Sequence, residues 1–336
     1  MSDETRLGYP DDVWRLSRPE NDGWSLELLD QAEAAIRDFG SIAGTVVHRG
    51  RFVKWGGDLN RKVLVRSVRK SLLSALIGIE ADRGTISMDQ TLADLDIDDV
   101  PPGLTDEEKQ ATVEDLLVSR SGVYHDALAE SETMKKEKPA RGAHPPGSHW
   151  HYNNWDFNAL GTIYERATGR SVYEGLYDDI AKPIGMQDFS PSDGRYKRGP
   201  QSMHPAYHVT MTARDLARFG LLYLRNGQWR GRQIVPSAWI KASTKSHAIS
   251  PHRGGYGYMW WTTGHDGTAD VPSRRHLNDC LPKIRYFAQG AYGQLIGVFP
   301  TEDLVIVNLA ATRERSTEED EKLSEFVRLV LRAAPR

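Results

Sequence analysis

Val65-Arg66-Ser67-Val68-Arg69-Lys70-Ser71-Leu72-Leu73-Ser74-Ala75-Leu76-Ile77-Gly78-Ile79 is the stretch on which the reading of this chain turns. Ser67 is the one serine followed three residues later by a lysine, and an apolar run begins directly after Lys70. If a helix begins at or just before Ser67, residues three apart stand one above the other on one face. Hydroxyl and ammonium then meet in the first turn. A serine hydroxyl is a poor nucleophile until a neighbouring base takes its proton. Apolar surroundings disfavour the charged lysine and bring its amine towards a base near neutral pH. Ser-x-x-Lys in this setting is a candidate for acyl transfer. The competing reading is a Ser67 helix cap with Lys70 in water. Taken alone the pattern favours that reading, because a chain of this length holds about one such pair by chance.

Composition narrows the function classes. The 336 residues make one large domain or two intimately packed ones. A hydrophobic share of 39% with 26% charged residues is that of a soluble globular enzyme. The net charge of −3 provides no basic field for nucleic acid or acidic lipid. The single cysteine, Cys280, rules out an intramolecular disulfide and reads as structural. The first residues lack the apolar core of a signal peptide, and no run reaches the roughly 18 apolar residues of a membrane span. A cytoplasmic protein is expected, with no membrane or nucleic-acid partner. Its oligomeric state is left open.

Along the chain, apolar spacing predicts a helix over 25–39 with Gly40 behind it, then a hairpin over 43–56 turning at His48-Arg49-Gly50. After the Ser67 helix the pattern is mainly helical, over 113–119, 158–168, 212–225 and 236–243. Residues 130–146 are charged and aperiodic, which reads as a surface loop and a lid candidate. Strand signals return over 283–289, 294–299 and 304–309, and an amphipathic helix over 319–333 closes the chain. Strands at both ends with helices between them predict an α+β fold. One antiparallel sheet is built from both chain ends and flanked by helices, with a mainly helical domain inserted. The expected division is 1–66 with 245–336 for the sheet domain and 67–244 for the helical one, with the site in the cleft between.

Two further stretches supply what Ser67 and Lys70 lack. Tyr152-Asn153-Asn154 is the one Tyr-x-Asn in the chain. A phenol beside an ammonium has its acidity raised from a usual pKa of about 10 and can relay a proton. Asn154 offers a donor and an acceptor, suited to a substrate amide or to holding Lys70. In Tyr286-Phe287-Ala288-Gln289-Gly290-Ala291-Tyr292-Gly293, glycines mark a bend or a close approach to the backbone. An acyl-transfer site needs two donors aimed at the oxyanion, commonly backbone amides. Ser67 supplies one candidate and the Gly290-Ala291 corner the other.

Together these stretches resemble the serine β-lactamase and penicillin-recognising superfamily, in its branch of class C-like hydrolases and esterases, from about Trp24 to Leu331. Asp115-Leu116-Leu117-Val118-Ser119-Arg120-Ser121-Gly122 is similar to the family's Leu-Leu-x-x-x-Ser-Gly segment, as is the run Met211 to Gly220 to its counterpart. Tyr256-Gly257-Tyr258-Met259-Trp260-Trp261 and Tyr292-Gly293-Gln294 are similar to the subset that includes 6-aminohexanoate-dimer hydrolases. The resemblance implies a β-lactamase/transpeptidase-like fold, Ser67 as nucleophile, Lys70 as its activating partner and Tyr152 as general acid and base. It implies oxyanion amides from Ser67 and Ala291. The family's Lys-Thr-Gly or His-Thr-Gly falls at Ala288-Gln289-Gly290, where alanine offers no cation for a substrate carboxylate, so poor turnover of β-lactams is expected. Arg285, three residues earlier on the strand, points to the opposite face.

Asn154, Ala288, Gly290, Tyr292, Trp150 and Trp155 are the expected substrate-binding residues, the aromatic ones favouring an apolar acyl group. His144, His149 and His151 cluster before Tyr152, and His204 and His208 are four apart, but no carboxylate completes a metal set and Pro205 breaks a helix. No metal and no cofactor is expected. The chain also lacks Gly-x-Ser-x-Gly and Gly-x-x-x-x-Gly-Lys. The reading is a serine hydrolase that cleaves a small ester or amide through an acyl-serine, carboxylesterase-like. The alternatives are an amide hydrolase of 6-aminohexanoate-dimer or D-amino-acid peptide type, and a penicillin-binding sensor that never turns over.

Overall fold

The computed structural model describes residues 8–250, 254–262, 285–311 and 317–335. Cys280 and the first residues of the strand expected over 283–289 lie outside them. Helix α1 (Leu26–Asp38) is capped by Ser25, whose hydroxyl accepts from Leu28 N. It leads into the hairpin β1 (Ser41–His48) and β2 (Arg51–Gly57), then β3 (Val63–Leu64) and helix α2 (Val68–Asp82). The middle of the chain holds α3 (Val113–Leu117), α4 (Glu132–Glu137), α5 (Asn154–Thr168), α6 (Val172–Gly175), β4 (Gly194–Gly199), β5 (Ser202–Met211), α7 (Ala213–Leu224), the small hairpin β6 (Gln228–Trp229) and β7 (Arg232–Gln233), and α8 (Ser237–Ser243). The chain closes with β8 (Ala248–Ser250), β9 (Gly254–Tyr256), β10 (Trp261–Thr262), β11 (Tyr286–Gly290), β12 (Gln294–Phe299), β13 (Leu304–Ala310) and α9 (Thr317–Ala333).

Eight described strands form one sheet in the order β2-β1-β13-β12-β11-β10-β9-β8, all pairs antiparallel. The two chain ends therefore meet at β1 and β13. Strands β12 and β13 are buried along their whole length, as strands covered on both faces are. Helices α1 and α9 pack together across β1 and β2, while α7 lies on β12, β13 and β1. Gly220 permits that approach, since a Cβ there would stand 2.5 Å from Val305 Cγ1. This α+β arrangement is the one read from the sequence.

Helix α2 is buried from Val68 through Glu80, on every side. A helix wrapped by apolar residues belongs in a core, and each of Leu72, Leu73, Leu76 and Ile77 contributes about 1.5–3 kcal/mol by leaving water. Its N-terminus is wedged between two sheets. Strand β3 pairs with β5 in a second sheet of order β3-β5-β4, and Val65 N donates to Val209 O at 3.0 Å. On the other side stands the end of β11.

Three local expectations change. Helix α5 starts at Asn154, not at 158, because Asn153 Oδ1 accepts from Trp155 N at 3.0 Å and caps it. The 130–146 segment contains the short surface helix α4, capped by Ser131 and laced by Lys135 with Glu132; Lys138 beyond it holds Asp126 and Glu130. Strands β4 and β5 fall within the 67–244 stretch read as mainly helical, in a part to which no element was assigned, and His204 and His208 lie on β5.

Candidate active site

Ser67 sits directly before α2 with no side-chain capping bond, so its hydroxyl is not spent on the helix. Arg66, one residue earlier, is left-handed at φ 53°, a conformation that costs a side-chain-bearing residue about 1–3 kcal/mol and that surrounding structure must hold. The first turn is tight, with Val68 N donating to Val65 O at 3.1 Å and Lys70 N to Ser67 O at 3.0 Å. The Ser67 amide lies where a helix leaves its N–H groups without intrahelical acceptors.

Lys70 is 2% exposed. Its Nζ lies 3.1 Å from Ser67 Oγ, 2.7 Å from Tyr152 Oη and 2.9 Å from Asn154 Oδ1. The rings of Tyr152 and Phe157 flank it, with each centroid 4.2 Å away. A buried ammonium needs such partners, because desolvation without them costs several kcal/mol. Three oxygens around one nitrogen form a continuous route for a proton between the Ser67 and Tyr152 hydroxyls. The reading of Lys70 in water is thereby excluded.

Tyr152 is fixed by its neighbours. Its ring stacks on Trp261 (5.5 Å, 26°) and meets Tyr256 edge-on, and Trp150 packs edge-on against the same two rings. The backbone on either side of Tyr152 is tied to the 119–123 loop. Ser119 Oγ donates to His151 O at 2.9 Å and accepts from Asn153 N at 3.0 Å. Ser71, one turn along α2 from Ser67, donates to Met259 O at 2.7 Å and so anchors α2 to the segment before β10.

The third stretch reaches the same place. A Cβ on Gly290 would stand 2.6 Å from Val65 O and 3.0 Å from Arg66 Cβ, so the end of β11 lies directly against the segment that carries Ser67. Ala291 follows at the exposed corner, and Tyr292 turns it with φ 66° while the Arg66 guanidinium lies 5.1 Å above its ring. Ser67, Lys70, Tyr152, Asn154, Gly290, Ala291 and Tyr292 thus converge.

Two expected substrate contacts, Trp155 and Ala288, are corrected, and of the two roles open to Asn154 the one seen is the holding of Lys70. Asn154 is buried with both ends of its amide engaged, Oδ1 on Lys70 and Nδ2 on Ala129 O at 2.7 Å, so it holds the lysine. Trp155 has no exposed surface and donates from Nε1 to Asp99 Oδ2 at 2.6 Å; the helix turns it away from Tyr152 into the core. The Ala288 methyl is fully buried and meets no solvent. Trp150 is half-buried and braces Tyr256 and Trp261.

Phe157 and Arg69 are neighbours to which the sequence reading gave no role, and Trp261, read as a core aromatic, also stands at the site. Phe157 follows Asn154 by three, a helical spacing that points to the same face. Trp261 carries no local signal, since its partner is over a hundred residues away. Arg69 is buried over the Tyr207 ring at 4.3 Å and donates to Asn158 Oδ1 at 3.4 Å. His208 faces the same cations, and burial first, then Arg69, Arg66 and Lys197, push it down to about 4. His204 hydrogen-bonds Asp98 O and Thr162 Oγ1, each at 3.0 Å, and the rings of His144 and His149 stack at 4.0 Å. Among the described residues no group of three or more His, Cys, Asp or Glu is placed to hold a metal.

A profile of the β-lactamase family matches residues 29–332. The chain belongs to the β-lactamase family. Its hydrolase character at that level accords with the 6-aminohexanoate-dimer hydrolase of Paenarthrobacter ureafaciens, which is 25% identical over 293 residues, 76% of this chain and 67% of that protein. Solved structures of a penicillin-binding protein homologue from Caulobacter crescentus (TM-score 0.63, 18% identity, 95% of this chain and 99% of that one) and of a class C β-lactamase (0.64, 16%, 90% and 96%) share the fold. In this β-lactamase-family chain no described helix is long and apolar enough to cross a membrane.

Proposed function

We propose that this protein is a serine hydrolase that cleaves a small ester or amide through an acyl-Ser67 intermediate, with carboxylesterase activity the principal one. The observation that carries the reading is the placement of Lys70 Nζ within hydrogen-bond reach of Ser67 Oγ and Tyr152 Oη at once. Ser67 Oγ attacks the substrate carbonyl while its proton passes to the Lys70–Tyr152 pair, which holds one proton vacancy as neutral amine or phenolate. The Ser67 and Ala291 amides receive the oxyanion. Collapse of the tetrahedral adduct expels the alcohol or amine, which takes its proton from Tyr152. Water then adds to the acyl-enzyme by the same route in reverse, releasing the acid and restoring Ser67.

Esters are favoured over amides because an alkoxide leaves more readily than an amide nitrogen. The amide reading has one support of its own, the likeness to a 6-aminohexanoate-dimer hydrolase. Replacing Ser67 by Ala is expected to abolish turnover of p-nitrophenyl acetate and labelling by a fluorophosphonate probe; full retention of either refutes the assignment. A single burst of product followed by silence identifies a sensor instead. Position 288 supplies a buried methyl where a substrate carboxylate would need a cation. Penicillins and cephalosporins should therefore be turned over at least about a hundredfold less efficiently than activated esters, the loss expected for one charge-assisted contact of about 3 kcal/mol. Steady-state assays with nitrocefin check this, and efficient hydrolysis would overturn it.

A further inference from the structure

Asp156 is fully buried in the first turn of α5, four residues past Tyr152. Its Oδ1 accepts from Ser121 Oγ at 2.5 Å and from Asn153 Nδ2 at 3.1 Å. Ser121 Oγ in turn accepts from Val123 N at 3.0 Å, and Asn153 Nδ2 also donates to Val123 O at 2.5 Å. One carboxyl oxygen therefore joins the 119–123 loop to the residue that follows Tyr152. Asp156 Oδ2 makes no hydrogen bond among the described residues, although the Ser121 amide also faces the carboxyl.

We propose that Asp156 is a positioning residue, which locks the turn bearing Tyr152 to the 119–123 loop and so sets the Tyr152 hydroxyl at hydrogen-bond distance from Lys70. The inference rests on the hydrolase reading for the role of Tyr152, but the lock itself is a matter of geometry.

Burial favours the uncharged form of the carboxyl. Burial raises its pKa well above the ordinary range, and the bonds from Ser121 and Asn153 do not offset that. Asp115 from α3, Tyr124 from the loop and Tyr256 from β9 lie near enough to interact with it, and none of these three brings positive charge. Ionisation would place a charge in a fully buried site where Oδ2 makes no hydrogen bond. An amide at this position keeps the accepting oxygen and removes the ionisation. A methyl keeps neither.

The test compares kcat and KM against pH for the wild type, Asp156→Asn and Asp156→Ala with p-nitrophenyl acetate, alongside crystal structures of the wild type and the alanine variant. Asp156→Ala should lose about tenfold to a hundredfold in kcat, the penalty of a misplacement near 1 Å, with KM within about threefold. Its Lys70–Tyr152 separation should lengthen beyond hydrogen-bond reach. Asp156→Asn should rescue most of kcat. Wild-type kcat in Asp156→Ala overturns the proposal, as does an Asp156→Asn enzyme that melts like the wild type yet is as slow as the alanine variant. If Asp156→Ala fails to fold, Ser121→Ala removes one arm of the lock, and an undiminished kcat there overturns it equally. Failure of the hydrolase reading looks different, as turnover indifferent to Ser67. The crystal structures then still decide, because an unchanged Lys70–Tyr152 distance in Asp156→Ala (or in Ser121→Ala) refutes the lock.

Discussion

Lys70 is the residue around which the others are arranged, and Asn154 shows how little of it is left to chance. The Asn154 amide spans from Lys70 Nζ at 2.9 Å to Ala129 O at 2.7 Å. Ala129 itself is left-handed at φ 63°. Replacing Asn154 by Ala removes one of the three oxygens around Lys70 Nζ and takes the donor from Ala129 O, and leaving a buried polar group unmet costs about 1–3 kcal/mol. We expect that loss in urea unfolding, with kcat down about tenfold to a hundredfold and KM little changed, because Lys70 gains freedom to swing away from Ser67. A variant that loses stability alone would make Asn154 a packing residue. Ser67, Lys70 and Tyr152 were legible because i, i+3 spacing and side-chain chemistry are local. The misreading of Trp155 has an equally local cause. Consecutive residues on a helix point about 100° apart, so standing next to the motif in sequence says nothing about facing the cleft. Asp156 was not legible at all, since an aspartate is ordinarily exposed and only the packing around it shows otherwise.

Among the elements, the end of β11 and the start of α2 are the pair whose contact makes the site. Gly290 is required there by space, because the atom 2.6 Å from its missing Cβ is Val65 O, a backbone atom that cannot swing aside. Gly290→Ala should cost about 1–3 kcal/mol, as overpacking does, and should displace the Ser67 segment, lowering turnover about tenfold or more. Gly220→Ala is the comparison. It meets Val305 and Ile296 in the core between α7 and the sheet, so it should lose similar stability with turnover retained. Parallel losses of activity in both variants would show that Gly290 matters only to folding. Helices α1, α7 and α9 and the hairpin β1–β2 were predictable from periodicity and turn residues. Strands β4 and β5 were missed because Pro205 and the histidines weaken the strand pattern, although the two pair with each other across a short turn; only the second partner of β5, strand β3, lies far away in the chain.

For the molecule as a whole, buried and half-buried histidines contribute to the response to acid. Burial pushes His48, His151 and His204 down, and with its neighbouring cations pushes His208 to about 4. Unfolded, each takes up a proton near pH 6.5, so the unfolded state binds more protons below that value and stability falls as pH drops from about 6.5 towards about 4. Asp156 and Asp215, both raised by burial, oppose the trend, since each is more stable folded when protonated. Urea midpoints should therefore decline between pH 7 and pH 4.5, and His208→Gln should flatten part of that slope; an unaltered slope in the variant removes His208 from the account. The covalent order of the chain determined the reactive side chains and the local helix that aligns Ser67 with Lys70, because three residues along one turn need no distant partner. What joined Tyr152, 82 positions from Lys70, and Gly290 at the far end of the chain to that turn was the packing of two sheets against a helix buried from Val68 through Glu80. Such long-range closure is held by buried surface and interlocking shape, which depend on every neighbour at once, whereas a motif depends on a few residues.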